Sequence, residues 1–370
     1  MPNHWFDAHL DLACLAVNKR DMTSDNLATC GGPWLPASVT LPSLQAGGVV
    51  ACLGTIFTDL GGDGPEGYPG GDAEAAYKRG RAQLEVYRDW QERGLITLGL
   101  RQALRIDAGV GAVRGGMGAA EVVSESSAKR MANTGKLHIG ILVECADPIR
   151  TPDELAWWVE AGVVAVGMSW GNGSRYSGGN AQTSGGSVGI TDIGKDFIAA
   201  MDERGVIHDC SHLNQRSTDD LLSLTDRPVM ASHSNVRALV DPANERHLAD
   251  ATITEIGDRG GMVGVNLVSN FIEPDVTRDP PTRARLSKLL DHIDRIAELM
   301  GRRDRVGLGS DMDGGFSADW LPQGINTPSD LTIITDGLQD RGWTEEETEG
   351  FRFGNWAHFI ANNAPSRATT

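Results

Sequence analysis

The stretch GVIHDCSHLNQRSTDDLLSLTDRPVMASHS, Gly205 to Ser234, decides the fold. Two short apolar runs, Gly205–Cys210 and Pro228–Ala231, each end in Ser-His, giving Ser211-His212 and Ser232-His233. Between them Ser217-Thr218-Asp219-Asp220 reads as a capping-box start for a short helix through Leu221 and Leu222. Strand, imidazole, helix, strand, imidazole is the order of a βαβ unit. Adjacent parallel strands in such a unit carry both rings to one rim, where α/β folds keep their chemistry. Taken alone, the pair reads equally well as two satisfied rim histidines. The rest of the chain separates the two readings.

The chain of 370 residues is 40% hydrophobic and 22% charged, ordinary values for a globular protein with a sizeable core. Its length allows two domains or one barrel with insertions. Lys+Arg 33 against Asp+Glu 50 leave a net charge of −17, which argues against nucleic acid or an anionic membrane as partner. The five cysteines (14, 30, 52, 145 and 210) are odd in number and show no CxxC spacing, so they read as buried thiols in a reducing compartment. No apolar run is long enough to span a bilayer. The start, MPNHWFDAHLDLA, lacks a basic region before an apolar stretch, so no secretory signal is read there and a cytoplasmic location is expected.

Outward from the central stretch, strand and helix signals alternate to both ends. His4–His9 is a first strand, with His9 and Asp11 as an H-x-D pair on one face at its end. Gly47–Phe57 is a continuous apolar run, the mark of a strand buried on both faces. Ala73–Arg93 is an amphipathic helix whose Tyr77, Leu84, Tyr87 and Trp90 form a stripe read as core. Ile96 to Gly135 is the least legible section, with a helix expected over Glu121–Met131; Ser126-x-x-Lys129 there lacks the companions of a penicillin-binding motif. Leu137–Val143 ends on Glu144, Gly162–Met168 ends in Ser169-Trp170, and Gly171 to Gly189 is a long polar loop. After His233 come Gly261–Val268, the helix Thr282–Met300, and the strand Arg305–Ser310 ending in Asp311-Met312-Asp313-Gly314. Two helices near Ser329–Arg341 and Thr344–Ile360 close the chain and are expected to pack on a single domain spanning 1–370.

Such alternation yields a parallel sheet, closed as a (β/α)8 TIM-type barrel or open and doubly wound. The barrel is favoured because His9/Asp11, Glu144, His212, His233 and Asp311 each end a different strand. A barrel gathers all strand ends at one mouth, whereas an open sheet strings them along an edge. Gathered, they are a ligand set for divalent metal: imidazole suits zinc, and carboxylates bridge two ions. Burying so many carboxylates together without cations would be costly. Two ions would acidify a shared water, and a carboxylate that is not primarily a ligand would take its proton and pass it to a leaving amine. Asp311 is the choice for that carboxylate.

These residues resemble the renal (membrane) dipeptidase family, peptidase family M19 of the amidohydrolase superfamily. The resemblance lies in Asp7-Ala8-His9-Leu10-Asp11-Leu12, Gly140–Glu144, Asp209-Cys210-Ser211-His212, Ser232-His233-Ser234, Glu245–Asp250, Gly307–Gly314 and Gly354-Asn355, in family order over nearly the whole chain. It implies a barrel with two zinc ions. Glu144 would bridge them, His9 and Asp11 would hold one, and His212 and His233 the other. Asp311 would handle the proton, and Arg246 would hold the C-terminal carboxylate of a dipeptide, often one with a D-residue on that side. A homodimer is a further family expectation.

Two positions depart from the family pattern. Ser169-Trp170 stands where animal members carry a Thr-His whose imidazole lies near the scissile carbonyl, so Trp170 would border the substrate, and Asn172 is the candidate donor to the oxyanion. His247 replaces the usual Asn beside Arg246. Three other readings compete. Gly167-Met168-Ser169-Trp170-Gly171 matches a serine nucleophile elbow in spelling, but the residues after it read as loop and not as the required helix. The barrel could bind metal or a small ligand without turnover. The same site could act on N-acyl amino acids or lactones.

Overall fold

The computed structural model describes residues 3–104, 118–182, 188–277 and 279–365. Eight parallel strands close into a barrel: β1 (Trp5–Leu10), β2 (Val49–Ile56), β3 (Leu137–Val143), β4 (Val163–Gly167), β5 (Ile207–Asp209), β6 (Met230–Ala231), β7 (Met262–Val265) and β8 (Val306–Leu308). Each strand pairs with the next in sequence, and the ring closes where β1 meets β8, Asp7 opposite Leu308. The uninterrupted apolar runs account for this. β1 to β4 are buried along their whole length, as parallel strands covered on both faces must be.

Helices between the strands form the outer layer. Ala73–Glu92 is capped by the Asp72 side chain, which accepts the Ala75 N–H at 2.9 Å. It buries Leu84, Tyr87 and Trp90 against the barrel, with Tyr77 half-buried beside them, so the aromatic stripe is core. In the decisive stretch the helix runs over Gln215–Leu224 and starts before the Ser217-Thr218 expected to open it. Asn214 is the cap, its Oδ1 accepting the Ser217 N–H at 2.8 Å, while the Ser217 hydroxyl is drawn to the Gly178 carbonyl at 3.0 Å.

Inside the barrel, apolar residues of β1 through β7 (among them Phe6, Leu53, Val164 and Met262) form one cluster with Phe353, Trp356 and Phe359. The helix Asn355–Asn363 thereby covers the N-terminal end of the strands, and the Trp356 Nε1 donates to the Leu308 carbonyl at 3.0 Å. The C-terminal ends stay open to the connecting loops. Residues 105–117 of the least legible section lie outside the described residues; a helix over Gly118–Asn133 includes the one expected there. Among the described residues no helix is long and apolar enough to cross a membrane.

Candidate metal centre

Barrel closure brings His9, Asp11, Glu144, His212, His233 and Asp311 together at the mouth. Their ligand atoms form overlapping sets, Glu144 with His212 and His233, Glu144 with His9 and Asp11, and His9 with His233 and Asp311, each set within 4.8 Å. Glu144 sits at the centre. Its Oε1 lies 3.3 Å from His212 Nε2 and 3.5 Å from His233 Nε2, and its Oε2 lies 3.5 Å from His9 Nε2. His9 Nε2 is also 3.8 Å from Asp11 and 4.0 Å from Asp311. Backbone geometry helps aim two of these side chains: His212 (φ 67°) and Asp311 (φ 60°) are left-handed. That conformation costs a residue with a Cβ about 1–2 kcal/mol and concentrates where function over-determines the chain.

Hydrogen bonds on the outer ring atoms set the tautomers. Ser232 donates its hydroxyl to Asp209 Oδ2 at 2.5 Å, which leaves the oxygen lone pairs to accept from His233 Nδ1 at 2.8 Å and His9 Nδ1 at 3.4 Å. Asn180 Oδ1 accepts from His212 Nδ1 at 3.2 Å. All three Nε2 atoms therefore point inward, where each can serve as a ligand once it carries no proton. Asp209 is itself anchored by the Ser211 and Ser232 amides at 3.0 and 2.9 Å. Asp7 ties β1 to β8, accepting the His9 and Ser310 N–H groups at 3.1 and 2.9 Å. Thr55 donates to Asp11, and Asn266 donates to Asp311 Oδ2 at 2.9 Å.

The electrostatics follow from burial. Burial opposes a proton on His9, but Glu144 and Asp11 outweigh it and hold the imidazole well above the ordinary histidine value. Burial pushes the Glu144 carboxyl up, and His9 and His212 pull it well below the usual carboxylate range. Burial and Arg246 lower His212 to about 4. His233 falls well below the ordinary value through burial, His9 and Arg246. For Asp311, burial raises the carboxyl to about 8, with His9 pulling down and Asp11 and Glu144 adding to the rise.

These residues fit divalent metal. His9 Nε2 is buried without a hydrogen-bond partner, and the His212 and His233 Nε2 atoms face each other at 3.0 Å, both against Glu144 Oε1. Inward lone pairs and carboxylate oxygens packed this closely repel one another unless a cation lies among them. If Ser232 orients the rings, Ser232→Ala should weaken divalent-ion affinity about 10- to 100-fold while the barrel stays folded. Competition with a chromophoric chelator measures the affinity, and unchanged affinity would exclude this role for Ser232.

The remaining predicted site residues divide. Trp170 is half-buried beside the centre, its ring 5.7 Å from that of His212 and 5.3 Å from Phe57. Arg246 is buried, donating to the His233 carbonyl at 2.9 Å and to Ser234 Oγ at 3.1 Å, with its guanidinium over Phe271. Asn172 is exposed on the turn Trp170–Gly173, its amide donating to the Leu60 carbonyl at 3.4 Å. The amides that touch the cluster are those of Asn180 and Asn266. Ser169 is buried, gives its hydroxyl to the Gly178 carbonyl at 3.1 Å and is followed by that turn, which rules out a nucleophile elbow. Sequence reasoning missed Thr55, Asn266, Ser232 and Asp209 as supports. The first two carry a legible signal, a polar residue within a buried apolar run.

Comparison with known proteins bears on this centre. A family model described as membrane dipeptidase (peptidase family M19) matches residues 3–366. An uncharacterized protein encoded in the pqqA 5′ region of Klebsiella pneumoniae is 30% identical over 213 residues, 56% of this chain and 75% of that protein. An uncharacterized dipeptidase of Schizosaccharomyces pombe is 29% identical over 226 residues, 59% of this chain, and the match spans about half (51%) of that protein. The crystal structure of a family M19 metallopeptidase, dipeptidase AC, superposes with a TM-score of 0.76 at 22% identity, covering 98% of this chain and 99% of that one. A Rhodobacter sphaeroides metallopeptidase liganded with a phosphinate mimic of the dipeptide L-Ala-D-Ala gives 0.74 at 21% identity, covering 97% and 99%. The likeness to these structures is one of fold.

Proposed function

The chain belongs to the membrane dipeptidase family, peptidase family M19, and is a metallo-dipeptidase by that membership; from that premise we propose that it hydrolyses small dipeptides, including those with a D-residue at the C-terminal position, at two zinc ions. The observation that carries the proposal is Glu144. Its two oxygens face separate ligand sets, His9 with Asp11 on one side and His212 with His233 on the other. Ions held there would supply an acidified water and a positive charge for the scissile carbonyl.

The chain's own residues then do the rest. Asp311, whose one oxygen is fixed by Asn266, takes the proton of the attacking water and delivers it to the leaving amine. Arg246, buried beside the centre and bonded to the His233 carbonyl, takes the substrate's C-terminal carboxylate in this proposal. Trp170 and Phe57 form an aromatic wall beside His212. The ligand of the R. sphaeroides neighbour, a mimic of L-Ala-D-Ala, supports the stereochemical part of the proposal. The five free, buried thiols support a reducing, cytoplasmic setting.

The test is one assay panel on purified protein. Dipeptides with L- or D-residues at the second position are run beside N-acyl amino acids and lactones, each as purified, after chelator treatment and after zinc is added back. Dipeptide cleavage is expected to vanish with the metal and return with zinc. Turnover indifferent to chelation removes the metal mechanism; preference for acylated amino acids or lactones moves the same centre to a different substrate.

A further inference from the structure

We propose that Arg20 and Asp313 form a buried clamp that positions the Asp311 carboxylate, so that both are positioning residues for the reaction. The inference rests on the role given to Asp311 above. Neither side chain belongs to the metal centre, and both are fully buried. Arg20 Nη1 bonds Asp313 Oδ2, and Arg20 Nη2 donates to the Pro33 carbonyl at 2.5 Å. Asp313 also accepts the Ser38 and Val39 amides at 2.8 and 2.9 Å. One carboxylate thereby joins the segment after β8 to the long loop that follows β1. Ala318 N–H to the Pro36 carbonyl, at 2.9 Å, repeats that tie further out.

A buried ion pair is a poor stability device, because desolvation offsets most of the attraction. What this one secures is a shape. Asp311 and Asp313 are both left-handed, at φ 60° and 64°, and Gly314 N–H closes the turn onto the Asp311 carbonyl at 2.9 Å. A Cβ on Gly314 would stand 1.9 Å from Asp311 Oδ1 and 2.7 Å from Asp11 Oδ2. The main chain next to Asp313 is thus the surface on which Asp311 and Asp11 rest. On the other side, the Gly32 backbone lies so close to the base of Arg20 that a Cβ there would stand 2.7 Å from Arg20 Cβ, so the segment carrying Pro33 packs directly on the arginine. Release of the clamp frees the 311–314 turn, and a shift of about 1 Å at a reacting group costs on the order of 100-fold in rate.

The experiment compares Arg20→Met/Asp313→Leu with the wild-type enzyme. The double change avoids the lone buried charge that either single change leaves. Wild-type dipeptide turnover, and its loss in Asp311→Asn, are recorded first; failure there is failure of the dipeptidase reading, and the clamp falls with it. The double variant loses the acceptor of the Ser38 and Val39 amides, so its Tm is expected to fall by several degrees; below that transition it should keep its metal content and KM within about threefold, while kcat falls about 100-fold. In the Asp311→Asn background the same double change should cost nothing further, since the group it positions is gone. Should the double variant not fold, Arg20→Lys keeps the charge but loses the second bond to Pro33, and kcat is expected to fall about 10-fold at unchanged Tm. Unchanged kcat overturns the proposal. So does a loss that tracks metal content, or one that adds fully to that of Asp311→Asn.

Discussion

Glu144→Gln is expected to lower dipeptide turnover by at least about 10,000-fold, equivalent to about 5 kcal/mol of transition-state stabilisation. The substitution keeps the volume and removes the charge from the carboxylate whose two oxygens face His9 on one side and His212 with His233 on the other. Glutamine also presents an N–H group to one side. In place of Glu144 Oε1 it would donate to the inward lone pairs of His212 or His233, 3.3 and 3.5 Å away; in place of Oε2, to His9 at 3.5 Å. Either orientation fills a cation's place with a hydrogen bond. Elemental analysis should therefore find fewer ions per chain than in the wild type, at most one against the two proposed for it, and kcat/KM should fall with it. A variant that keeps its metal and more than about a hundredth of its activity would remove Glu144 from the shared position.

Asp311→Asn tests the other half of the mechanism. Its kcat is expected to drop about 1,000-fold, within the range in which a positioned proton carrier contributes, with KM and metal content inside about threefold of wild type. An asparagine can still accept from Asn266, so the side chain should stay in place and lose only its capacity to take a proton. The sharp alternative is that Asp311 is a ligand, since its carboxylate lies 4.0 Å from His9 Nε2 and forms a cluster with His9 and His233. Metal loss in parallel with kcat would decide for the ligand role. Full metal content with low kcat would decide for the proton.

Much of the architecture is legible in the chain because it rests on local rules. Gly47–Phe57 and Leu137–Val143 are uninterrupted apolar runs, and only a strand covered on both faces calls for that. The Ser-His endings of the central βαβ unit place imidazoles at the strand ends whatever the details of closure. The start of the helix after His212 was less legible, because asparagine and serine cap equally well and Gly178, distant in sequence, claims the Ser217 hydroxyl. The direction of Asn172 was illegible for a similar reason: its side chain donates to the Leu60 carbonyl, more than a hundred residues away in the chain.

The sequence by itself determined the alternating strands and helices, the residue types at the strand ends and the acidic, metal-seeking character of the mouth, since each follows from residues near one another in the chain. Only the tertiary structure decided which of those residues meet. That Glu144 lies between His9 and the His212–His233 pair, that Ser232 serves two rings at once, and that Asp313 reaches back to Arg20 all depend on how β8 closes onto β1. Periodicity sets the face a side chain takes. The distance between two strand ends is set by the curvature and stagger of a closed sheet, a property of the whole ring and of no single strand.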